Sequence, residues 1–532
     1  MKLNVPKFKP TKYIIIIALP LCLSAYTHLW NPIGFPSIHI DEGHYLRRAM
    51  LILNGLGPQE SALNGYPRTY DHPYFGQLFL AGALSVTGFP YLMNPNTDVI
   101  SIETLHLVPR ILMGILSIID TLIIFKICER RYNRNIALIA GLLFALMPMT
   151  WILRRVYLDN LQMPFTLSGI LFALYIKPGV IEAINQWQSK FIISKRVLAL
   201  LSGVFIGLSI YTKIPAFTLM PLVGSLVFFN SGKRLSILGI WLIPVLLIPV
   251  LWPLYSVVVG QSDLWFHWVV WQTGRNRPLY LSLLQAFQID PIIVIIGLAG
   301  IIFASLRKDF FTLLWITPFL IFSYFIGWVQ YFHLVAIFPA FCIGGAILID
   351  SLQKIVKRYI SKALSFTVPI AFCVFGFVIT SILISANVNS NYYEVYASIA
   401  KNLPVAKNTN NSAVTVIGSH WWIWDSYWIT EFILHDHHDI VDPHFDPHFK
   451  KQINTTMVLF VADNKFLDDF SHNLRTRNYQ NIKNLFEESK IVANITDNVT
   501  SKNNGQYPYN IFSIMILNEN HPTGSVQIRM NY

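Results

Sequence analysis

The sequence has little charge for its length. Only 13% of its 532 residues are Asp, Glu, Lys or Arg, about half the share found in an ordinary soluble domain. So few charged side chains cannot cover the surface of a soluble protein of this size. Apolar and aromatic residues make up 54% of the chain, which excludes a disordered protein. The composition predicts a membrane protein that crosses the bilayer many times.

Cysteines and acidic residues are also scarce. The four cysteines lie in or beside apolar runs, which favours small membrane-embedded residues over a disulfide framework or a zinc site. The 28 acidic residues face 40 basic ones, a net charge of +12. A nucleic-acid binder can have such a charge, but here Lys and Arg form short clusters between apolar runs, as the positive-inside rule describes. We therefore expect membrane lipid around the chain and no nucleic-acid partner.

About eleven apolar runs are long enough to cross the roughly 30 Å hydrocarbon core of a bilayer. They lie near residues 13–30, 107–128, 136–153, 160–176, 197–212, 215–230, 235–258, 291–306, 310–328, 334–350 and 364–386. The N-terminal segment and alternate connections together hold 20 of the 29 Lys and Arg that precede residue 387, which predicts a cytoplasmic N-terminus. This assignment requires that the short apolar stretch 75–90 does not cross.

With an odd number of spans, the chain after residue 386 is extracytoplasmic. All four Asn-x-Ser/Thr glycosylation acceptors fall there: Asn410, Asn454, Asn494 and Asn498. We predict a polytopic transmembrane domain over residues 1–386, with an outer loop at 31–106, and a soluble α/β domain over 387–532. In the latter, Ala413 to Gly418, Met457 to Ala462 and Ile511 to Leu517 are predicted strands, and Asp468 to Tyr479 a helix.

Charged and polar residues gather on the predicted outer side, which indicates a site at the membrane surface. Asp41 and Glu42 open a stretch with the apolar spacing of an interfacial helix. The alternative is that Asp41 only caps this helix. His72 opens the short apolar run, where the following proline could simply start a helix.

Three further elements follow along the chain. The first is Arg154-Arg155 with Asp159 four residues on, for which arginines snorkelling at a helix end are the alternative. The second is Lys213, in a tight turn between two apolar runs. The third is Tyr331-Phe332-His333-Leu334. Their order along the chain carries more information than any one of them.

These motifs, in this order, resemble the GT-C glycosyltransferases, specifically the dolichyl-phosphate-mannose protein mannosyltransferases and the lipid A aminoarabinose transferases. The matching elements are Asp41-Glu42, His72-Pro73-Tyr74, Arg130-Arg131, Arg155-x-x-x-Asp159, Thr212-Lys213-Ile214-Pro215 and Tyr331-Phe332-His333-Leu334. The likeness covers about residues 13–350. Tyr74 replaces the second proline of the family's Pro-Pro pair, and Val335 and Ala336 stand where the late motif has proline, which bears on the substrate more than on the reaction.

The resemblance implies transfer of a sugar from a polyprenyl-phosphate donor to a protein, lipid or glycan. A phosphate leaving group needs no protonation, so a single carboxylate that takes the proton of the acceptor is enough. Glycoside hydrolysis needs two carboxylates that flank the bond, which adjacent residues cannot easily do. We assign Asp41 as the base and Glu42 as a group that supports it or positions the acceptor. The predicted substrate-binding residues are His72, Arg154, Arg155, Asp159, Lys213, Arg275, Tyr331 and His333.

Two signals in the tail keep alternatives open. The His- and Asp-rich run from His435 to His448 could bind a divalent metal, although a polar loop has the same composition and no cofactor is expected. Ser419 to Trp428 resembles, inexactly, the Trp-Trp-Asp-Tyr-Gly element of oligosaccharyltransferases. Transfer of an oligosaccharide to asparagine is therefore an alternative function, and a flippase or transporter for lipid-linked sugars is another.

Overall fold

The structure, a computed structural model, describes residues 10–58, 69–89, 98–177, 194–275, 277–327, 329–361, 364–402, 414–418, 422, 438–441, 457–464, 466–467, 480–496 and 525–531. The chain divides into two compact units. The first contains residues 1–30, 55–80 and 111–383, and the second contains residues 31–54, 81–110 and 384–532. Part of the predicted outer loop thus groups with the tail, while the domain boundary at 386/387 stays a prediction.

Helices make up most of the described chain. In chain order they are α1 (Pro10–Leu29), α2 (Ile40–Leu53), α3 (Phe75–Ser85), α4 (Val99–Arg131), α5 (Arg134–Leu146), α6 (Leu158–Tyr175), α7 (Lys195–Thr212), α8 (Met220–Asn230), α9 (Leu235–Val258), α10 (Ser262–Thr273), α11 (Leu279–Ile289), α12 (Pro291–Leu306), α13 (Phe311–Ile326), α14 (Phe338–Tyr359), α15 (Thr367–Ile384), α16 (Ser390–Asn402) and α17 (Gln480–Glu488). Short 3₁₀ segments occupy Pro148–Arg154, Ile214–Leu219, Tyr331–Ile337 and Leu364–Phe366.

Five of these helical stretches are long and apolar enough to cross a membrane: Val99–Arg131, Lys195–Thr212, Leu235–Val258, Tyr331–Tyr359 and Leu364–Ile384. Two pairs of helices bent by 67° and 111° raise the number to seven if each pair is one span. The protein is a polytopic helical membrane protein, as predicted. The count of eleven spans, the cytoplasmic N-terminus and the outer position of the tail stay predictions.

Helix α3 falls on the apolar stretch that the predicted topology requires not to cross. It has 11 residues, which at 1.5 Å per residue give about 16 Å, roughly half of the hydrocarbon thickness. This length agrees with a re-entrant or interfacial segment.

Glycines allow the helices of the first unit to approach closely. A Cβ atom on Gly300 of α12 would lie 1.9 Å from the carbonyl oxygen of Gly344 on α14, and one on Gly203 of α7 would lie 2.2 Å from that of Trp241 on α9. Membrane helices associate largely by such close packing of small residues. The second of these contacts holds α7, the helix that ends just before Lys213.

The second unit contains a five-stranded sheet. Its strands are β1 (Val414–Gly418), β2 (His438–Val441), β3 (Met457–Ala462), β4 (Lys490–Thr496) and β5 (Ser525–Asn531), in the spatial order β2-β1-β3-β5-β4. β1 runs parallel to β2 and β3, and β5 runs antiparallel to β3 and β4. Every residue of β3 is buried, because both faces of this central strand are covered.

The strands predicted at 413–418 and 457–462 are confirmed as β1 and β3. The strand predicted from Ile511 to Leu517 and the helix predicted from Asp468 to Tyr479 lie outside the described residues. Three strands were not predicted, although in β5 buried and half-buried residues alternate along its length, the pattern of a strand with two unlike faces.

Candidate functional site

The acidic pair lies at the start of α2, in the second unit. The helix is capped by His39, whose Nδ1 accepts the backbone N–H of Asp41 at 3.3 Å. The backbone N–H of His39 in turn donates to the Glu42 carboxylate at 3.2 Å. Since His39 is the cap, the alternative that Asp41 merely caps this helix is wrong.

Glu42 is fully buried and held by Arg110 of α4, which is also fully buried. The guanidinium donates to both carboxylate oxygens, at 2.7 Å and 3.0 Å. Its remaining nitrogen donates to the backbone carbonyls of Pro32 and Pro36, at 2.8 Å and 2.9 Å. Two-pronged binding of this kind satisfies a buried carboxylate well, so Glu42 acts as part of the framework around Asp41.

Asp41 has a different environment from its neighbour. Its side chain is 32% exposed, and Oδ2 lies 3.9 Å from Nδ1 of His39. The pair therefore consists of one enclosed carboxylate and one that solvent can reach.

In the first unit, Lys213 pairs with Asp159. The ammonium donates to Oδ2 at 2.6 Å, and the two side chains are only 7% and 6% exposed. Asp159 lies in the first turn of α6, and Lys213 ends α7 in an extended conformation just before a 3₁₀ segment that contains Pro215. Two of the predicted motifs thus meet as a buried ion pair.

Arg155 lies among aromatic side chains. Its guanidinium donates to the hydroxyl of Tyr157 at 2.9 Å and to that of Tyr331 at 3.4 Å, and lies 4.9 Å from the ring centre of Trp151. Arg154 donates to the backbone carbonyl of Trp30. Both arginines are fully buried, so the alternative that they snorkel at a helix end is wrong.

The segment that follows His72 packs next to these motifs. A Cβ atom on Gly76 would lie 2.6 Å from Leu158 and 2.9 Å from Thr212, the neighbours in sequence of Asp159 and Lys213. His72 itself is 21% exposed at its side chain, with Nε2 3.9 Å from Oδ2 of Asp71. The missing side chain of Gly76 makes this approach possible without a shift of Leu158 or Thr212, and the segment after His72 lies close to both other motifs.

The remaining predicted residues also lie in the first unit. Tyr331 is buried and reaches Arg155, as described above. His333 accepts the backbone N–H of Gln330 through Nδ1 at 3.2 Å, in a cap of the 3₁₀ segment. Arg275 stacks on Trp271, with the guanidinium carbon 3.9 Å from the ring centre.

Sequence reasoning counted Arg110 among the charged residues of the outer side but gave it no role or partner, and it missed the aromatic surroundings of Arg155. An arginine inside an apolar run is costly and therefore a signal, but its carboxylate partner lies 68 positions away. Trp151 and Tyr157 stand beside the two arginines in the sequence, and their aromatic character was the available signal for Arg155.

Of the two tail stretches singled out in the sequence, the structure describes Trp422 and the backbone of residues 438–441. Trp422 is fully buried, and its indole N–H donates to Asp463 at 3.1 Å. This tryptophan belongs to the core, and the rest of the stretch from Ser419 to Trp428 lies outside the described residues. Within the described chain no group of three or more His, Cys, Asp or Glu could hold a metal ion, and the side chains from His435 to His448 are not among those described.

Solved structures of similar fold were found over nearly the whole chain. ArnT from Cupriavidus metallidurans bound to undecaprenyl phosphate aligns with a TM-score of 0.60 and 12% identity, covering 98% of each chain. The apo form of the same protein aligns with a TM-score of 0.59 and 12% identity, over 91% of this chain and 96% of that one. The oligosaccharyltransferase AglB from Archaeoglobus fulgidus, in complex with an inhibitory peptide and a dolichol-phosphate, gives 0.53 and 12%, over 91% and 73%.

The chain shares the fold of ArnT and AglB, which are both GT-C glycosyltransferases. The resemblance seen in the motifs is thereby confirmed at the level of the fold. No family model and no curated protein sequence matches the chain. At 12% identity the likeness shows the fold alone, so activity and substrates are inferred from the chain's own residues.

Proposed function

We propose that the protein is a membrane glycosyltransferase that transfers a sugar from a polyprenyl-phosphate donor to a protein, lipid or glycan acceptor. The observation that carries this proposal is the division of the acidic pair. Glu42 is enclosed by Arg110, while Asp41 is partly exposed at the start of a capped helix. One accessible carboxylate is what transfer from a phosphate leaving group requires.

In the proposed reaction the acceptor hydroxyl attacks the anomeric carbon of the donor sugar. The bond between that carbon and the phosphate oxygen breaks as the new glycosidic bond forms. The proton of the hydroxyl passes to Asp41, and the lipid phosphate leaves with the electron pair of the broken bond. Glu42 takes no proton in this scheme, because its carboxylate is fixed by the guanidinium of Arg110.

A leaving lipid phosphate needs positive charge that is already in place. We assign this task to Lys213 and Arg155, supported by Arg154. Asp159 holds the ammonium of Lys213, and Tyr331 holds the guanidinium of Arg155. His72, Arg275 and His333 are proposed to contact the sugar or the donor phosphate. The solved structure of ArnT with undecaprenyl phosphate supports a ligand of this class for the shared fold.

We place the reaction at the outer face of the membrane, with the N-terminus in the cytoplasm. Cysteines introduced at 93–106 or 400–530 should then react with an impermeant reagent added outside. A cysteine at 178–196 should react only after permeabilisation. Labelling of 93–106 from the cytoplasm alone would show that residues 75–90 cross, and would reverse the assigned sides of every later connection.

The test of the function is Asp41→Asn in purified protein supplied with a radiolabelled polyprenyl-phosphate sugar and an extract of candidate acceptors. Loss of a general base typically costs about 10²–10⁴ in rate, and we expect kcat to fall by that factor while the protein stays folded. Glu394→Gln is the matched control, since Glu394 is an exposed carboxylate of α16 in the same unit. Normal turnover by Asp41→Asn would show that Asp41 is not the base.

The same variant separates the alternatives. A flippase or transporter would move a lipid-linked sugar across vesicle membranes without forming a covalent product, with or without Asp41. An oligosaccharyltransferase would modify asparagine in a sequon peptide. Sugar linked to a hydroxyl-bearing acceptor in the wild type, and missing in Asp41→Asn, supports the proposal over both.

A further inference from the structure

The loop from Asn31 to His39, just before Asp41, is held by side chains from elsewhere in the second unit. The carboxamide of Asn389 donates to the backbone carbonyls of Ile33 at 2.7 Å and Pro36 at 2.8 Å. A longer contact of 3.4 Å reaches the carbonyl of Gly34. The oxygen of the same carboxamide accepts the backbone N–H of Ile38 at 3.1 Å.

Asn389 is fully buried, and both ends of its amide are used. Buried polar groups that are satisfied in this way fix the backbone that they bind, because moving it would leave several groups without partners. Residues close to Asn389 in the sequence also hold the loop. The backbone N–H of Val388 donates to the carbonyl of Gly34 at 2.9 Å. The hydroxyl of Tyr393 donates to the backbone carbonyl of Ile33 at 3.4 Å. Burial raises the pKa of Tyr393, so its hydroxyl remains a donor.

Arg110 approaches the loop as well. It shares the carbonyl of Pro36 with Asn389 and also binds Glu42, the residue next to Asp41. The path from Asn389 to Asp41 is therefore short. It runs through Pro36 and Ile38 to the cap residue His39, whose side chain accepts the N–H of Asp41.

We infer that Asn389 is a positioning residue for Asp41: its carboxamide fixes the loop that sets where the proposed base lies. This rests on the proposed function, since it assumes that Asp41 takes the proton. It also gives the start of the tail a part in the reaction, because Asn389 directly precedes α16. A base displaced by about 1 Å can cost on the order of 10²-fold in rate.

The chain offers a matched control two positions on. Asn391, in the first turn of α16, is as buried as Asn389, yet within the described part of the chain neither polar atom of its amide has a hydrogen-bond partner. Asn391→Ala therefore removes a buried amide from the same region without releasing the loop. A difference between the two variants reports on the bonds to the loop and not on burial.

The first experiment compares Asn389→Ala, Asn389→Asp and Asn391→Ala by steady-state kinetics in the full-length protein. For Asn389→Ala we expect kcat to fall by about 10- to 100-fold with KM for the donor within about 2-fold, since the base moves while the donor contacts remain. Asn389→Asp should be no better, because it keeps the acceptor for Ile38 but loses the donors to the carbonyls. Asn391→Ala should stay within about 3-fold of the wild type.

The second experiment places Asn389→Ala in the Asp41→Asn background. If Asn389 acts through Asp41, its loss should change the residual rate by less than about 2-fold, because residues that act as a unit are not additive. Losses that multiply, or equal falls in kcat and donor affinity, would show a general structural role and overturn the inference. Wild-type turnover by Asp41→Asn alone would instead overturn the proposed base.

Discussion

Two buried ion pairs in the described part of the protein differ in construction. In the second unit, Arg110 binds Glu42 with two nitrogens and two backbone carbonyls with the third, and neither side chain is exposed. In the first unit, the ammonium of Lys213 makes a single hydrogen bond within the described chain, of 2.6 Å to Asp159. Guanidinium is a rigid fork, whereas ammonium is a compact charge with three donors that can turn.

The difference separates a fixed pair from an adjustable one. The Glu42–Arg110 pair has little capacity left for a ligand, and holds the backbone around Asp41. Lys213 keeps donor capacity beyond its bond to Asp159, so a phosphate oxygen can share the ammonium without removing the carboxylate. We therefore expect the stability of the protein to depend mainly on the Glu42–Arg110 pair. The use of the polyprenyl-phosphate sugar should depend mainly on the Asp159–Lys213 pair.

The largest expected effect on stability is that of Arg110→Met. Removing one partner of a fully buried pair leaves an uncompensated charge and typically costs about 3–5 kcal/mol. The midpoint of thermal unfolding in detergent should fall accordingly. Arg110→Met combined with Glu42→Leu should recover a large part of the loss, since an apolar pair of similar volume is often tolerated. A single variant as stable as the wild type would show that the pair is not a framework element.

The next effect concerns Lys213→Ala and the use of the donor. A hydrogen bond to a charged group contributes about 1.5–3 kcal/mol, so KM for a synthetic polyprenyl-phosphate sugar should rise by about 10- to 100-fold. Lys213→Arg should rescue in part, because the charge remains while the geometry changes.

Arg155→Ala, alone and combined with Lys213→Ala, tests whether the two cations bind the same phosphate. If both cations bind the same phosphate, the double variant should lose less than the product of the two single losses. Strictly multiplicative losses, or wild-type donor dependence in Lys213→Ala, would remove Lys213 from the proposed site.

The smallest effect is expected for Gly76→Ala. Its Cβ would lie 2.6 Å from Leu158 and 2.9 Å from Thr212, and overpacking of this kind costs about 1–3 kcal/mol. Since these neighbours adjoin Asp159 and Lys213, a several-fold loss of donor use should accompany it. Gly82→Ala on the same helix is the control, because among the described residues nothing lies within 4 Å of that added atom. Equal effects of the two variants would contradict close packing at Gly76.

Much of the fold could be predicted because it depends on composition and local pattern. The apolar runs, the short length of α3 and the buried strands β1 and β3 follow from residues that are neighbours in the sequence. The partners of the site residues do not. Asp159 and Lys213 are 54 positions apart, and Arg155 and Tyr331 are 176 apart. A charged residue beside an apolar run predicts that it has a partner. Which residue that partner is depends on how the helices pack.

The order of strands in the sheet has a consequence for biosynthesis. β5, at residues 525–531, lies between β3 and β4, although it is translated after both. At about 5–20 residues per second, the ribosome needs several seconds to pass from the end of β3 to β5. During that time the apolar strand β3 has one open edge, so the half of the sheet made of β3, β5 and β4 cannot close until β5 has been synthesised. An expression clone shortened before residue 525 would leave β3 and β4 without the strand that joins them, however well its membrane helices insert.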